Sequence, residues 1–317
     1  MQGFSNKFSD FPDYILGITQ EIWEGRGLGD RMRDYYHKDV IVRMPGGIST
    51  GEPASTNATM STLVELPDRT LLGEDVIWCG TPEDGMLSSH RILSTATHLG
   101  DGAFGAATGR KLVSRAIADC YAKDNQISDE WLIRDNGGIV RQLGFDPKDW
   151  AQAKLDANPD LRMFTPAMDF DGPYLGRGND SEWGMELQDI LARMMGAEFS
   201  VIPEKYDRAC HLEYPSVVTA HGRDGADKFW LGLRASFPSA KFECHHVMGR
   251  DGEMMSPRGA VRWSLTGKHD GWGSFGTPSG ADVHVMGITH AEFGPWGLRR
   301  EFTLIDETAI WMQILAK

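Results

Sequence analysis

Shifted by 171 positions, the chain lies on itself: Gly109 falls on Gly280 (280 − 109 = 171), Asp135 on Asp306 and Gln142 on Gln313. At the same offset Tyr35 meets Tyr206, Pro67 meets Pro238, Arg91 meets Arg262, His98 meets His269, Phe104 meets Phe275 and Glu130 meets Glu301. No insertion or deletion breaks the register from Tyr35 to Gln142, and the matches are glycines, prolines, aromatics and charges rather than a generic apolar pattern. The chain therefore reads as one fold written twice. A period this long describes two domains rather than a short-repeat solenoid, and 317 residues give each copy enough length for its own core.

Periodicity predicts the same order of elements in both halves. Tyr14, Ile15, Ile18, Ile22 and Trp23 recur at helical spacing within 13–25, as do Trp183, Leu187, Ile190, Leu191 and Met194 within 182–196. A short β-like run follows (40–44 and 211–214). A glycine-initiated helix comes next (51–66 and 222–237) and stops at Pro67 or Pro238. Alternating or β-branched runs then occupy 70–79, 86–98, 111–123 and 127–135, and again 241–249, 258–269, 282–293 and 298–306. Helices first and an antiparallel sheet afterwards is an α+β arrangement with the helices on one face of the sheet. The expected division is a first domain over 1–146, a linker rich in Pro, Gly, Asp and Asn over 147–179, and a second domain over 180–317.

Charge excludes some partners. Lys+Arg 32 against Asp+Glu 45 leaves −13, with the acidic residues scattered, so nucleic acid and anionic membranes are not expected partners. No stretch approaches the ~20 apolar residues of a spanning helix. The opening MQGFSNKFSDFPDY lacks a basic and an apolar signal region, and a cytoplasmic location is expected. Cys79, Cys120, Cys210 and Cys244 show no metal-type spacing and read as free thiols. His245 and His246 are adjacent, so in a strand they point to opposite faces, and no metal site is expected. Gly100, Gly102 and Gly105, repeated at Gly271, Gly273 and Gly276, spell G-x-G-x-x-G. They lie between two β runs rather than before a helix, so a hairpin turn is expected and no nucleotide cofactor.

The stretch from His98 through Phe104, Gly105, Thr108, Gly109 and Arg110 to Glu130, Trp131, Asp135 and Gln142-Leu143-Gly144 resembles the SnoaL-like polyketide cyclase family of the NTF2-like superfamily. The second copy keeps His269, Phe275, Gly276, Gly280, Glu301, Asp306 and Gln313, but has Phe302 for the tryptophan and lacks the Leu-Gly ending. The resemblance implies two tandem cone-shaped α+β domains, each with N-terminal helices packed on a curved sheet that encloses a pocket. It further implies cofactor-free chemistry in which one aspartate is both acid and base, on a small apolar carbonyl compound such as a polyketide. An internal pseudo-dimer packed sheet to sheet, open to further self-association, is implied as well.

Read as a strand residue, Asp135 shares a face with Trp131 and Ile133, and Asp306 shares one with Phe302 and Leu304. Such surroundings raise a carboxyl pKa toward neutrality, so both aspartates are candidate bases, with Trp131 and Phe302 lining the substrate. The alternative is that each satisfies a backbone donor or an arginine such as Arg91 or Arg262. Across the hairpin, Asp119 and Tyr121 in the first copy and His290 and Glu292 in the second are the expected polar partners, unless that face is solvent. His98 and His269 either donate to a developing oxyanion or pin the glycine-rich turn. Parity alone leaves open which sheet face is the pocket, and whether the fold is an enzyme doing proton abstraction beside a carbonyl or a binding module. The more complete motif favours the first copy for the chemistry.

Overall fold

The computed structural model describes residues 1–316. The first half runs α1 (Phe11–Thr19), α2 (Asp30–Tyr35), β1 (Tyr36–Met44), β2 (Gly47–Thr50), α3 (Glu52–Glu65), β3 (Thr70–Thr81), β4 (Gly85–Thr97), β5 (Lys111–Lys123), β6 (Gln126–Arg134) and α4 (Asn136–Gln142). After α5 (Pro147–Ala157) the second half repeats the order: α6 (Glu182–Met195), α7 (Val201–Lys205), β7 (Tyr206–Tyr214), β8 (Val218–His221), α8 (Arg223–Ser236), β9 (Lys241–Gly252), β10 (Met255–Lys268), β11 (Asp282–Gly294), β12 (Gly297–Ile305) and α9 (Glu307–Leu315). The repeat extends to single hydrogen bonds. Gln142 Nε2 donates to the carbonyls of Val113 and Gly138, and Gln313 Nε2 to those of His284 and Ala309.

Local chemistry explains the boundaries. Asp10 caps α1 by accepting from the Asp13 amide, and Phe11, Tyr14, Ile15 and Ile18 form its buried stripe. Gly51 and Gly222 open α3 and α8 at φ 86° and 78°, backbone that L side chains rarely adopt. In both copies the G-x-G-x-x-G segment is a tight turn, with Gly102 paired to Gly105 and Gly273 to Gly276. It joins antiparallel neighbours, the hairpin context and not that of a dinucleotide fingerprint.

Each half forms a six-stranded sheet, in the orders β2-β1-β6-β5-β4-β3 and β8-β7-β12-β11-β10-β9. The sheets are mixed rather than purely antiparallel, because β1 lies parallel to β6 and β7 parallel to β12. That pairing joins strands from opposite ends of each half, and no turn signal announces it. The even-numbered residues of β4 and β5, and of β6 from Glu130 onward, turn toward α1, with Ile127 joining them before the bulge in β6. The odd-numbered ones turn toward the second half, where Ile117 and Ile133 meet Met286, Ile288 and Leu304 in one buried cluster.

The 147–179 segment is not a bare linker. Asp146 caps α5 by accepting from the Lys148 and Asp149 amides, and Ala151 and Leu155 pack on Ala309 and Met312 of α9. Beyond it the chain touches both halves: the Phe164 amide donates to the Pro45 carbonyl, and the Tyr174 hydroxyl pairs with His246 Nε2 at 2.7 Å. No helix among the described residues is long and apolar enough to cross a membrane.

Candidate active site

Strand parity separates two very different faces. The face bearing the expected polar residues is the junction between halves. Arg91 stacks on Phe302 with its guanidinium carbon 3.6 Å from the ring centre, and Arg262, its copy, stacks on Trp131 at 3.9 Å. Asp119 accepts from Arg262 Nε at 3.1 Å. At the equivalent position His290 stands 3.0 Å from Arg91 Nη1 and 2.7 Å from Ser89 Oγ. These contacts are isologous about a pseudo-two-fold axis. Glu292 lies 3.8 Å from Arg91 and 3.5 Å from Arg300. Tyr121 leans on Tyr174, with ring centres 5.1 Å apart, and donates to the Asp84 carbonyl. Burial, with Arg91 beside it, pushes His290 well below its ordinary value and keeps it neutral.

Asp135 and Asp306 do not sit in the strands. Each is the residue after the last strand of its half and caps the following helix. Asp135 accepts from the Gly138 amide at 2.9 Å and, across the junction, from the Ser216 and Val217 amides at 2.9 and 3.0 Å. The positions equivalent to Ser216 and Val217 are Pro45 and Gly46, and Asp306 instead accepts from Asn136 Nδ2 at 2.6 Å and from Thr308 and Ala309. Burial raises both carboxyls, against the pull of these donors. The structure thus places Asp135 on structural donors, the alternative that the sequence left open. His98 and His269 are fully buried at the glycine-rich turn. Their Nδ1 atoms pair with Thr108 and Ser279, both at 3.1 Å, and their carbonyls accept from Gly109 and Gly280.

The even face of the first half lines a cavity. An inner chamber, about 60 Å³ to a water molecule's centre, lies between α1 and the sheet; His90, Cys120, Glu130, Leu132 and Arg134 face it, covered by Ile18, Trp23 and Tyr36. Arg69, Ala116, Leu132 and Arg134 also line an outer chamber of about 370 Å³ near Phe104, Trp150 and Asp306, so the two chambers adjoin across these four residues and are together called the cleft. Glu130 is 7% exposed, its Oε2 accepts a long 3.3 Å bond from the Tyr36 hydroxyl, and the Cys120 thiol is its other side-chain donor. Burial raises its carboxyl, with Arg134 pulling the other way, and burial raises the Tyr36 phenol well above its usual range. Burial also brings His90 down to about 4, leaving a neutral imidazole with Nδ1 3.2 Å from Ser88 Oγ.

The second half has closed the same space. Glu301, the copy of Glu130, accepts from Tyr206, Tyr214, Trp230 and Thr303 at 2.7, 3.1, 3.0 and 2.7 Å. Trp263, where the first half has Ile92, fills the interior and donates to Thr289 Oγ1 at 3.0 Å. Gly287, opposite Ala116, makes the room: a Cβ there would lie 2.1 Å from the indole.

Of the expected site residues, only Asp306 borders the cleft. Glu130, Arg134, His90, Tyr36 and Arg69 line the cleft without being among the expected site residues. A usable signal existed, since Glu130 repeats at Glu301 and shares strand parity with Leu132 and Arg134. Among the described residues, no group of three His, Cys, Asp or Glu side chains is placed to hold a metal ion.

No protein-family model and no curated protein matches the chain. Solved structures similar to it include wild-type IdmH from Streptomyces antibioticus, described as a candidate polyketide cyclase, at 21% identity and TM-score 0.36, spanning 42% of this chain and 97% of that one. A candidate SnoaL-like polyketide cyclase from Jannaschia sp. CCS1 matches at 20% identity and TM-score 0.37 over 44% and 98%. A SnoaL-like polyketide cyclase from Agrobacterium tumefaciens matches at 17% identity and TM-score 0.32 over 42% and 98%.

Proposed function

We propose that the first half is a cofactor-free pocket enzyme whose cleft takes a small carbonyl compound, with Glu130 as general acid and base, and that the second half is its structural partner. The observation that carries this is the fate of one repeated glutamate. In the second copy Glu301 is saturated by four donors inside a filled core, whereas Glu130 borders the cleft with a long bond from the Tyr36 hydroxyl and the weak thiol donor of Cys120. A desolvated carboxyl with a raised pKa is poised to take a proton from a carbon beside a carbonyl and to return it. Tyr36, a phenol at neutral pH, holds that carboxyl and is placed to donate again as charge shifts. Aldol-type closure or isomerisation of a polyketide-like substrate is the reaction that the sequence resemblance implies. In this reading Asp135 organises the junction and does not act as the base.

The test is deuterium exchange at the activated methylene of 2-tetralone in D₂O, followed by proton NMR. Wild-type protein is expected to accelerate exchange, and Glu130→Gln to lower the rate by the ~10²- to 10⁴-fold typical of a lost general base. Wild-type exchange no faster than buffer, or a Glu130→Gln rate equal to wild type, would sink the proposal and leave a binding module.

A further inference from the structure

The neck between the two chambers is built from positive charge that the protein compensates only in part, since Glu130 attracts Arg134 without forming an ion pair with it. Arg69 and Arg134 both line the inner and the outer chamber. Arg134 Nε is buried with no hydrogen-bond partner. Arg69 Nε donates to Ser94 Oγ at 2.8 Å, a neutral acceptor. Among the described residues no carboxylate comes within ion-pair distance of either guanidinium. The carboxylates at the outer chamber are already engaged. Glu65 accepts from the Phe104 amide at 2.7 Å and lies 3.3 Å from His98 Nε2, while Asp306 holds Asn136 and Thr308. Arg115, on the same wall, is neutralised by Glu74 at 2.7 Å and Glu213 at 3.4 Å. Two half-buried guanidiniums side by side repel each other and lose part of their hydration, a cost that a bound anion would offset.

We infer that Arg69 and Arg134 form an anion subsite at the neck of the cleft, which holds the carboxylate of an apolar substrate while its carbon skeleton enters the inner chamber toward Glu130. The inference rests on the cleft being the working site and adds the charge of what enters it. A guanidinium is a planar fork that matches a carboxylate. Two of them, with Glu130 beyond, leave a local excess that one carboxylate balances. Burial, with Arg134 beside it, brings the Arg69 guanidinium down to about 9, the signature of a cation lacking its counterion, yet leaves it charged at neutral pH. The apolar lining of Ile15, Ile18 and Trp23 requires the remainder of the ligand to be uncharged.

The probe pair is 3-phenylpropanoate and its methyl ester, which differ in charge and little in shape, titrated by ligand-observed NMR against the full chain. The acid is expected to bind about tenfold or more tightly than the ester, as hydrogen bonds to a charged group imply. Arg134→Gln and Arg69→Gln should each abolish the preference, Arg134→Lys should retain part of it, and circular dichroism should match wild type. If the ester binds as well as the acid, or both glutamine variants keep the preference, the anion subsite is wrong and the cleft reading stands. If neither probe binds wild-type protein, the cleft reading fails and the subsite with it. Should Arg134→Gln not fold, the wild-type ratio and Arg69→Gln decide the matter.

Discussion

The plug of the second half can be transplanted into the first. Ile92, Ala116 and Ala118 occupy the positions of Trp263, Gly287 and Thr289, so Ile92→Trp, Ala116→Gly and Ala118→Thr together rebuild the indole, its clearance and its hydrogen-bond acceptor. Residual cavity costs about 24 cal/mol per Å³, so filling the inner chamber of about 60 Å³ stabilises by at most ~1.4 kcal/mol. With an unfolding entropy of ~2.1 cal/mol/K per residue, that is an increase of about 2 °C in Tm for the whole chain. Polar groups in the chamber, Glu130 foremost, reduce this upper bound, because a buried carboxyl left unsatisfied costs ~1–3 kcal/mol. Ile92→Trp alone goes the other way, because the indole meets the Ala116 methyl and its N–H has no acceptor, costs of ~1–3 kcal/mol each. Differential scanning calorimetry of the single and triple variants, with the 3-phenylpropanoate titration on each, checks both halves of the reasoning. The triple variant should be more stable than Ile92→Trp alone and bind nothing. The reasoning is refuted if the triple variant still binds, or if Ile92→Trp alone is as stable as the triple.

Two further measurements address the junction. Asp135→Ala leaves three amides unsatisfied, two of them in the other half, and should lower stability by roughly 2–4 kcal/mol in urea; a loss under ~0.5 kcal/mol would mean that the cap carries nothing. His290 is a base whose folded pKa is depressed, so the unfolded chain binds more protons below its ordinary value of 6.5, and the stability due to neutral burial is lost as pH falls from there. Comparing urea midpoints of wild type and His290→Asn at pH 7 and pH 5 isolates this share from the raised carboxyls, which act in the opposite sense; identical pH slopes would contradict it.

The duplication was fully legible, because indel-free matches at glycines, prolines and turn histidines fix the register of both copies residue by residue. Element order followed from it. The parallel β1–β6 pairing was not, since strands far apart in sequence carry no local mark of their partner. The expected site residues lie one step of strand parity from the proposed cleft: Asp119, Tyr121, Trp131 and Phe302 alternate correctly but face the other half, which a sequence cannot distinguish from a pocket wall. Asp135 misled for a related reason. One residue past the strand end, an aspartate looks like the next member of the face, yet its side chain turns to amides that exist only once the second half is docked. What could have been read was Glu130, repeated as Glu301 and grouped by parity with Arg134.

The pseudo-two-fold junction has a consequence for inheritance. In a homodimer every residue meets its own copy, so a change that suits one side is imposed on both, and a chain with a filled interior would pair at random with chains that are open. Tethering by the 147–179 segment removes both constraints. Position 119/290 is free to be aspartate on one side and histidine on the other, and each molecule contains one filled and one open copy however dilute it becomes. One half can then fill its interior for rigidity while every molecule keeps one open cleft, a division of labour that fusion fixes within a single chain.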